Sequence, residues 1–210
     1  MRALQAGGGS ARDKADCIVA AYPDAWRGTV LDVGCRSGEL REALDSREVR
    51  YLGLDIRAPA DIVVDLDEGI PLEAGEATTV VALDVLEHTD RIHEALIELF
   101  RVASETVIVS LPNCYEVQVR IRHLLGRPIS GKYGLPLQPP HDRHRWFFSL
   151  DDARAFCRAQ ATDGGWAVVD EGFMIGPRRA RLRRLVTRFP NLLSATYVAR
   201  FGKQRGATPS

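Results

Sequence analysis

The stretch VLDVGCRSGEL, Val30 to Leu40, narrows the possible folds more than any other part of the sequence. It reads as an apolar strand, a glycine turn and the opening of a helix. The continuous apolar character of TVLDVG suits a parallel strand covered on both faces. Gly34 and Gly38 flank Cys35, Arg36 and Ser37, and such a turn lets backbone come very close to a ligand. Further apolar runs follow: RYLGLD ends at Asp55, DIVVD at Asp65 and TTVVALD at Asp84, and ETVIVSL is stopped by Pro112. Helical patterns lie between them, through Leu40 and Leu44 and then with Ile92, Ala95, Leu96, Leu99 and Phe100 on one stripe. Strands alternating with helices predict a parallel α/β sheet that binds ligands beyond the carboxyl ends of its strands. Asp55, Asp65 and Asp84 all fall at such ends. An acid there often only caps a turn, but three of them beside a glycine turn point to a shared site.

The flanking segments complete one domain. QAGGGS, within residues 1–10, reads as a flexible leader. Ser10 and Asp13 make a capping box, and Ala15, Ile18, Val19 and Tyr22 follow at helical spacing until Pro23. From Gly126 to Phe148 regularity fails, and a stretch of this length that carries aromatics and histidines predicts an ordered active-site loop. Ser149 caps the next helix with Asp152 in the reciprocal position. WAVVDEGF and ATYVARFG read as the final strands. Between them PRRARLRRLVTRF predicts a helix with Arg178, Arg179, Arg181, Arg183, Arg184 and Arg188, and with Leu182, Leu185, Val186 and Phe189 as its apolar stripe. Such a charge run is either a solvated face or a contact for the phosphates of a nucleic acid or lipid head group. The expected domain is 11–203, with 204–210 as a tail.

The 210 residues carry zero formal net charge, so no global field selects a polyanion. No apolar run approaches the ~18 residues of a membrane span, and the N-terminus has no signal-peptide core. Cys17, Cys35, Cys114 and Cys157 are far apart and suggest neither a zinc site nor a disulfide framework. A reducing cytoplasm is the expected setting.

Two phosphate-binding readings of the glycine turn fail. A P-loop needs Gly-Lys-Ser/Thr, whereas Gly38 is followed by Glu39 and Leu40; the Gly-x-Gly-x-x-Gly pattern fails at Arg36. Asp55 suits a ribose diol, since a carboxylate accepts from both hydroxyls. VLDVGCRSGEL, YLGLDI, DLDEGIPL, VVALDVLEH and VIVSLPN resemble, in order and spacing, class I S-adenosylmethionine-dependent methyltransferases of the type 11/23 kind. The resemblance implies a single Rossmann-like domain whose seven-stranded, mostly parallel sheet has its last strand antiparallel and helices on both faces. It implies S-adenosylmethionine as cofactor, with Asp32 in its site and the backbone at Gly34, Cys35 and Gly38 near the methionine part. Asp55 would hold the ribose, Ile56 would pack on adenine, Asp65 and Leu66 would border the adenine edge, and Asp84 would lie near the amino group. Arg36 replaces a usual glycine, which is tolerable if its φ is negative. A sulfonium methyl is already activated, so the protein needs mainly to align a nucleophile and exclude water.

DVLEH brings Asp84, Glu87 and His88 together in sequence, and HDRHRWFF adds His141 and His144. Ubiquinone-type O-methyltransferases carry a similar acid-x-x-Glu-His run. Small-RNA 2′-O-methyltransferases resemble the chain there and at the later histidine, which implies a divalent metal on Asp84, Glu87, His88 and His144. Without metal, Glu87, His88 and His144 are the catalytic candidates, and a metal is the less favoured reading. DLDEGIPL, VIVSLPN and RIRHLLGRPIS also resemble the methionine-biosynthesis W proteins, methyltransferase-like partners of an acyltransferase, whose fourth-strand segment usually lacks Glu-His. The expected function is O-methylation of a small or medium-sized acceptor. The alternatives are a non-catalytic partner protein and a metal-dependent nucleic-acid 2′-O-methyltransferase.

Overall fold

A computed structural model describes residues 1–129, 137–138 and 143–204. In chain order the elements are β1 (Arg2–Gln5), α1 (Ala11–Ala21), β2 (Thr29–Val33), α2 (Glu39–Ala43), β3 (Arg50–Asp55), β4 (Ile62–Val63), β5 (Ala77–Leu83), α3 (Ile92–Val102), β6 (Ala103–Pro112) and α4 (Val117–Leu124). Then come α5 (Leu150–Asp163), β7 (Trp166–Ile175), α6 (Pro177–Ala180), α7 (Arg183–Arg188), α8 (Pro190–Leu193) and β8 (Thr196–Lys203). The strands form one sheet in the order β1-β7-β8-β6-β5-β2-β3-β4. β8 runs antiparallel to both β6 and β7, and the other pairs are parallel.

Helices lie on both faces because the central strands are apolar on both. Leu31, Val33, Val80 and Val107 join a cluster with α3 and α5, while Val30, Val81 and Ile108 join a cluster with α1 and α2. The two capping boxes form as predicted: Ser10 and Asp13 open α1, and Ser149 and Asp152 open α5. α3 buries its Ile92, Ala95, Leu96, Leu99 and Phe100 stripe.

The sheet has eight strands, where seven were expected. The extra one comes from the supposed leader: Arg2–Gln5 pairs in parallel with Gly172–Ile175, and Leu4 and Ala6 are buried. Four residues are too few for strand periodicity to show, and the pairing partner lies far away in sequence. DIVVD shortens to the two-residue β4 at the sheet edge. The arginine helix is split into α6 and α7, since arginines three and four apart repel and only Val186 is buried to hold the segment in place. The expected active-site loop lies in part outside the described residues, His141 among those left out, and so does the tail beyond residue 204. No helix among the described residues is long and apolar enough to cross a membrane.

Candidate active site

Strand order reverses between β2 and β5, so the crevice beyond their carboxyl ends is where an open α/β sheet places a ligand. The glycine turn sits there. Gly34 has φ +75°, and its N–H donates to Leu54 O at 2.7 Å. A Cβ on Gly34 would come within 2.4 Å of Val85 Cγ2, so glycine is required on both counts. Gly38, at φ +89°, turns the chain into α2 and donates to Cys35 O at 2.8 Å.

Arg36 and Asp84 are the non-glycine residues with positive φ among the described residues, at +48° and +55°. The negative φ expected for Arg36 is therefore corrected. Its N–H donates to Asp55 Oδ2 at 3.0 Å, and that bond holds the left-handed turn in place. Asp55 Oδ1 accepts from Arg57 N at 3.1 Å, so this carboxylate braces the backbone on either side of the crevice. Both strained residues lie at the carboxyl ends of neighbouring strands, the kind of place where backbone strain is retained for function.

A cavity with about 150 Å³ of room for solvent opens beside this turn, lined by Asp32, Gly34, Cys35, Arg36, Lys14 and Asp84 among others. Burial pushes the Asp32 carboxyl up to about 7, opposed by a 2.5 Å hydrogen bond from Tyr51 Oη. Burial likewise pushes the Cys35 thiol up to about 11, so it is neutral at pH 7 and serves as apolar lining. Burial would raise Asp84 too. The charge of Lys14 and hydrogen bonds from Lys14 and Ser110 outweigh it and hold the carboxyl below its usual range.

Lys14 carried no sequence signal; the packing of α1 over α2 and the sheet brings it to Asp84. Lys14 and Gly9 also line a larger cavity of about 530 Å³, with Glu116, Gln118, Met174, Arg178, Arg179 and Thr196. The two cavities therefore adjoin along the opening of α1. Ile56 is exposed beside Asp55, and Asp65 caps a short turn by accepting from Asp67 N at 3.0 Å. The Leu66 side chain is in the core.

Glu87, His88 and His144 converge. Each offers a ligand atom within 4.8 Å of the others. Glu87 Oε1 lies 3.7 Å from His88 Nε2 and 3.9 Å from His144 Nε2, and the imidazoles meet edge to face at 4.7 Å. The Glu87 side chain is 0% exposed and that of His144 is 4% exposed. The turn Leu86–His88 and residues 143–148 hold this cluster together: Arg145 N donates to Glu87 O at 2.8 Å, and Trp146 Nε1 donates to Thr89 O at 2.8 Å. His88 Nδ1 lies 3.1 Å from Arg143 O. A carbonyl only accepts, so Nδ1 carries a proton and Nε2 faces the cluster. Asp84 stands apart from this group, engaged by Lys14 and Ser110. Among the described residues, three of the expected four thus come together, without Asp84.

The fold is that of a class I S-adenosylmethionine-dependent methyltransferase. Residues 11–169 match the family described as "Methyltransferase domain", and the chain belongs to that family. The cofactor that goes with this family is S-adenosylmethionine. Among solved structures, a SAM-dependent methyltransferase from Archaeoglobus fulgidus is similar at 16% identity, over 92% of this chain and 95% of that one, with a TM-score of 0.61. Magnesium protoporphyrin IX methyltransferase from Synechocystis, solved with bound SAH, is similar at 17% identity over 92% and 82%, with a TM-score of 0.59. The [4+2]-cyclase SpnF is similar at 14% identity over 98% and 89%, with a TM-score of 0.62. At these identities the likeness is one of fold. No curated protein matches the sequence.

Proposed function

We infer that the protein transfers the methyl group of S-adenosylmethionine to a hydroxyl oxygen of a small or medium-sized acceptor. The observation that carries this reading is the pair of adjoining cavities at the strand ends, one framed by the glycine turn and its strained neighbours, the other larger and open to a second molecule. The cofactor occupies the first. Asp55 accepts from the ribose hydroxyls, Ile56 covers adenine, Asp65 and Leu66 border its edge, and Asp32, Gly34, Cys35, Gly38 and Asp84 surround the methionine part. The acceptor enters by way of the second, from the Lys14 side of the crevice.

A hydroxyl must lose its proton near the moment of transfer. His88 is the base of this reading. Its Nδ1–H donates to Arg143 O, its Nε2 lies on the Glu87 side, and Glu87 and His144 steady the ring. A fold neighbour named as a cyclase shows that this architecture hosts other chemistry, so the test needs both binding and transfer. Calorimetric titration with S-adenosylmethionine is expected to show one site, and labelled methyl is expected to move to a member of a hydroxyl acceptor panel. Absence of cofactor binding would overturn the reading; binding with no transfer across a broad panel would favour a non-catalytic partner protein.

The three-residue cluster favours a second reading, in which Glu87, His88 and His144 hold a divalent cation. One carboxylate and two imidazoles are a fitting donor set, and a ligating histidine commonly donates its other N–H to a carbonyl, as His88 does. Such an ion would lower the pKa of an acceptor hydroxyl. Titration with the metal alone separates the two readings.

A further inference from the structure

The sequence promised α7 an apolar stripe that would seat it on the sheet. The structure instead leaves most of that stripe in solvent. Val186 is buried, while Leu182, Leu185 and Phe189 are 55%, 47% and 49% exposed. Those three lie at i, i+3 and i+7, the spacing of one helical face. Arg181, Arg184 and Arg188 follow the same spacing beside them, and all are exposed. Arg178, Arg181, Arg183, Arg184 and Arg188 form no ion pair among the described residues; Arg179 alone is spent on Glu116, at 2.8 Å.

A second segment repeats the pattern. α4 buries no residue and exposes Ile121 and Leu124, with Leu124 86% exposed, and Leu125 is exposed just beyond it. Arg120 and Arg122 alternate with them and, among the described residues, donate to backbone carbonyls. The two segments adjoin at the Glu116–Arg179 pair, and Gln118, Arg178 and Arg179 line one cavity. The chain is neutral overall, yet it has no acidic residue between Glu116 and Asp142 and none after Glu171. The two segments are therefore locally basic, and they also expose apolar side chains.

A solvated face accounts for the arginines but not for the apolar stripes beside them. A second copy of this chain packed on the same patch would set arginines against arginines around a two-fold axis, which opposes association. A nucleic acid would match the charge, but single strands are held by aromatic stacking, and these stripes are aliphatic except for Phe189, over which Arg188 already lies at 5.7 Å. A surface with phosphates outside and hydrocarbon just beneath suits both components at once. We propose that α4, α6 and α7 form a docking face for an anionic lipid bilayer, with the arginines at the headgroup phosphates and Leu182, Leu185, Phe189 and Leu124 at the acyl boundary. Resting on the acceptor cavity proposed above, the same placement opens that cavity toward the lipid and selects an amphiphilic acceptor.

The test is flotation of the full chain with vesicles of phosphatidylcholine, with and without phosphatidylglycerol. It needs no turnover, so its failure and a failure of the methyl-transfer reading are separate results. Partition onto the anionic vesicles is expected, weakening with salt. R181Q/R184Q is expected to lower the partition coefficient about 30-fold, at about 1 kcal/mol per arginine near a charged surface. L182S/L185S is expected to lower it about 10-fold or more while leaving the salt dependence in place. Both variants change exposed side chains, and an unchanged circular dichroism spectrum and melting temperature are the check that they are folded. Absence of flotation, or equal partition onto neutral and anionic vesicles, overturns the proposal. So does tighter binding to duplex DNA or RNA that the L182S/L185S variant retains in full, or a lipid-free oligomer that the same variant dissolves.

Discussion

Asp32 offers a measurable consequence of placing a carboxylate inside the crevice beside the glycine turn. It is 4% exposed, and burial raises its pKa from 3.8 to about 7 although Tyr51 donates to it. Between those two values the unfolded chain has released this proton and the folded chain has kept it. Folding then binds a proton, so the contribution of Asp32 to stability is full below pH 4 and is lost as pH rises to about 7. At 1.36 kcal/mol per unit, the loss from pH 5 to pH 8 is on the order of 3 kcal/mol. Asp32→Asn removes the titration and keeps a carbonyl to accept from Tyr51 Oη. Urea unfolding of both proteins across pH 5–8 is the assay. The variant is expected to gain on the wild type steadily with pH, ending about 1 M higher in urea midpoint for a slope of about 3 kcal/mol/M. Parallel profiles across this range would show that Asp32 is ionised throughout and refute the argument from burial.

Three further expectations concern the same region. Asp55→Ala is expected to cost about 1.5–3 kcal/mol of S-adenosylmethionine affinity by calorimetry, and an unchanged affinity in the folded variant would remove Asp55 from the site. Since Asp55 also accepts from Arg36 N and Arg57 N, its urea midpoint should fall as well. Arg36→Gly is expected to relieve the left-handed backbone at φ +48° and to raise stability by about 0.5–1 kcal/mol after glycine's entropic cost; a lower melting temperature would contradict this. His88→Gln is expected to lower the rate of methyl transfer at least about 100-fold with cofactor affinity retained. If His88 is a base, chelation of divalent ions leaves the wild-type rate unchanged, and a rate lost to chelation and restored by the metal assigns Glu87, His88 and His144 as ligands instead.

Much of the fold was legible because its central strands are buried on both faces. TVLDVG, RYLGLD and TTVVALD read as strands from apolar continuity alone, and β2, β3 and β5 fall where those runs lie. The caps were legible because Ser10 with Asp13 and Ser149 with Asp152 act within four residues of each other. β1 was not, because Arg2–Gln5 becomes a strand only when Gly172–Ile175 arrives beside it. The same limit governs the site. Gly34 and Gly38 announce a turn by themselves, but the Lys14 contact with Asp84 joins residues from different elements, and neither end predicts the other. The Glu87–His88 pair was visible as a dipeptide. That His144 joins it while Asp84 turns away follows from the backbone contacts of Arg145 and from Ser110 and Lys14.

The arginine segment shows how a pattern can be read correctly and its environment wrongly. Leu182, Leu185, Val186 and Phe189 do form the apolar spacing of a helix, but periodicity states which residues share a side, not what covers that side. A helix interior to the sheet packing needs that stripe buried to offset ordering its chain, and α7 buries only Val186. Its arginines repel one another in solution, so the segment as it stands gains little from either component. Both costs fall together when an apolar layer lies beside a layer of negative charge. The same arrangement would give a role to a run of arginines that has no acidic residue after Glu171 to pair with.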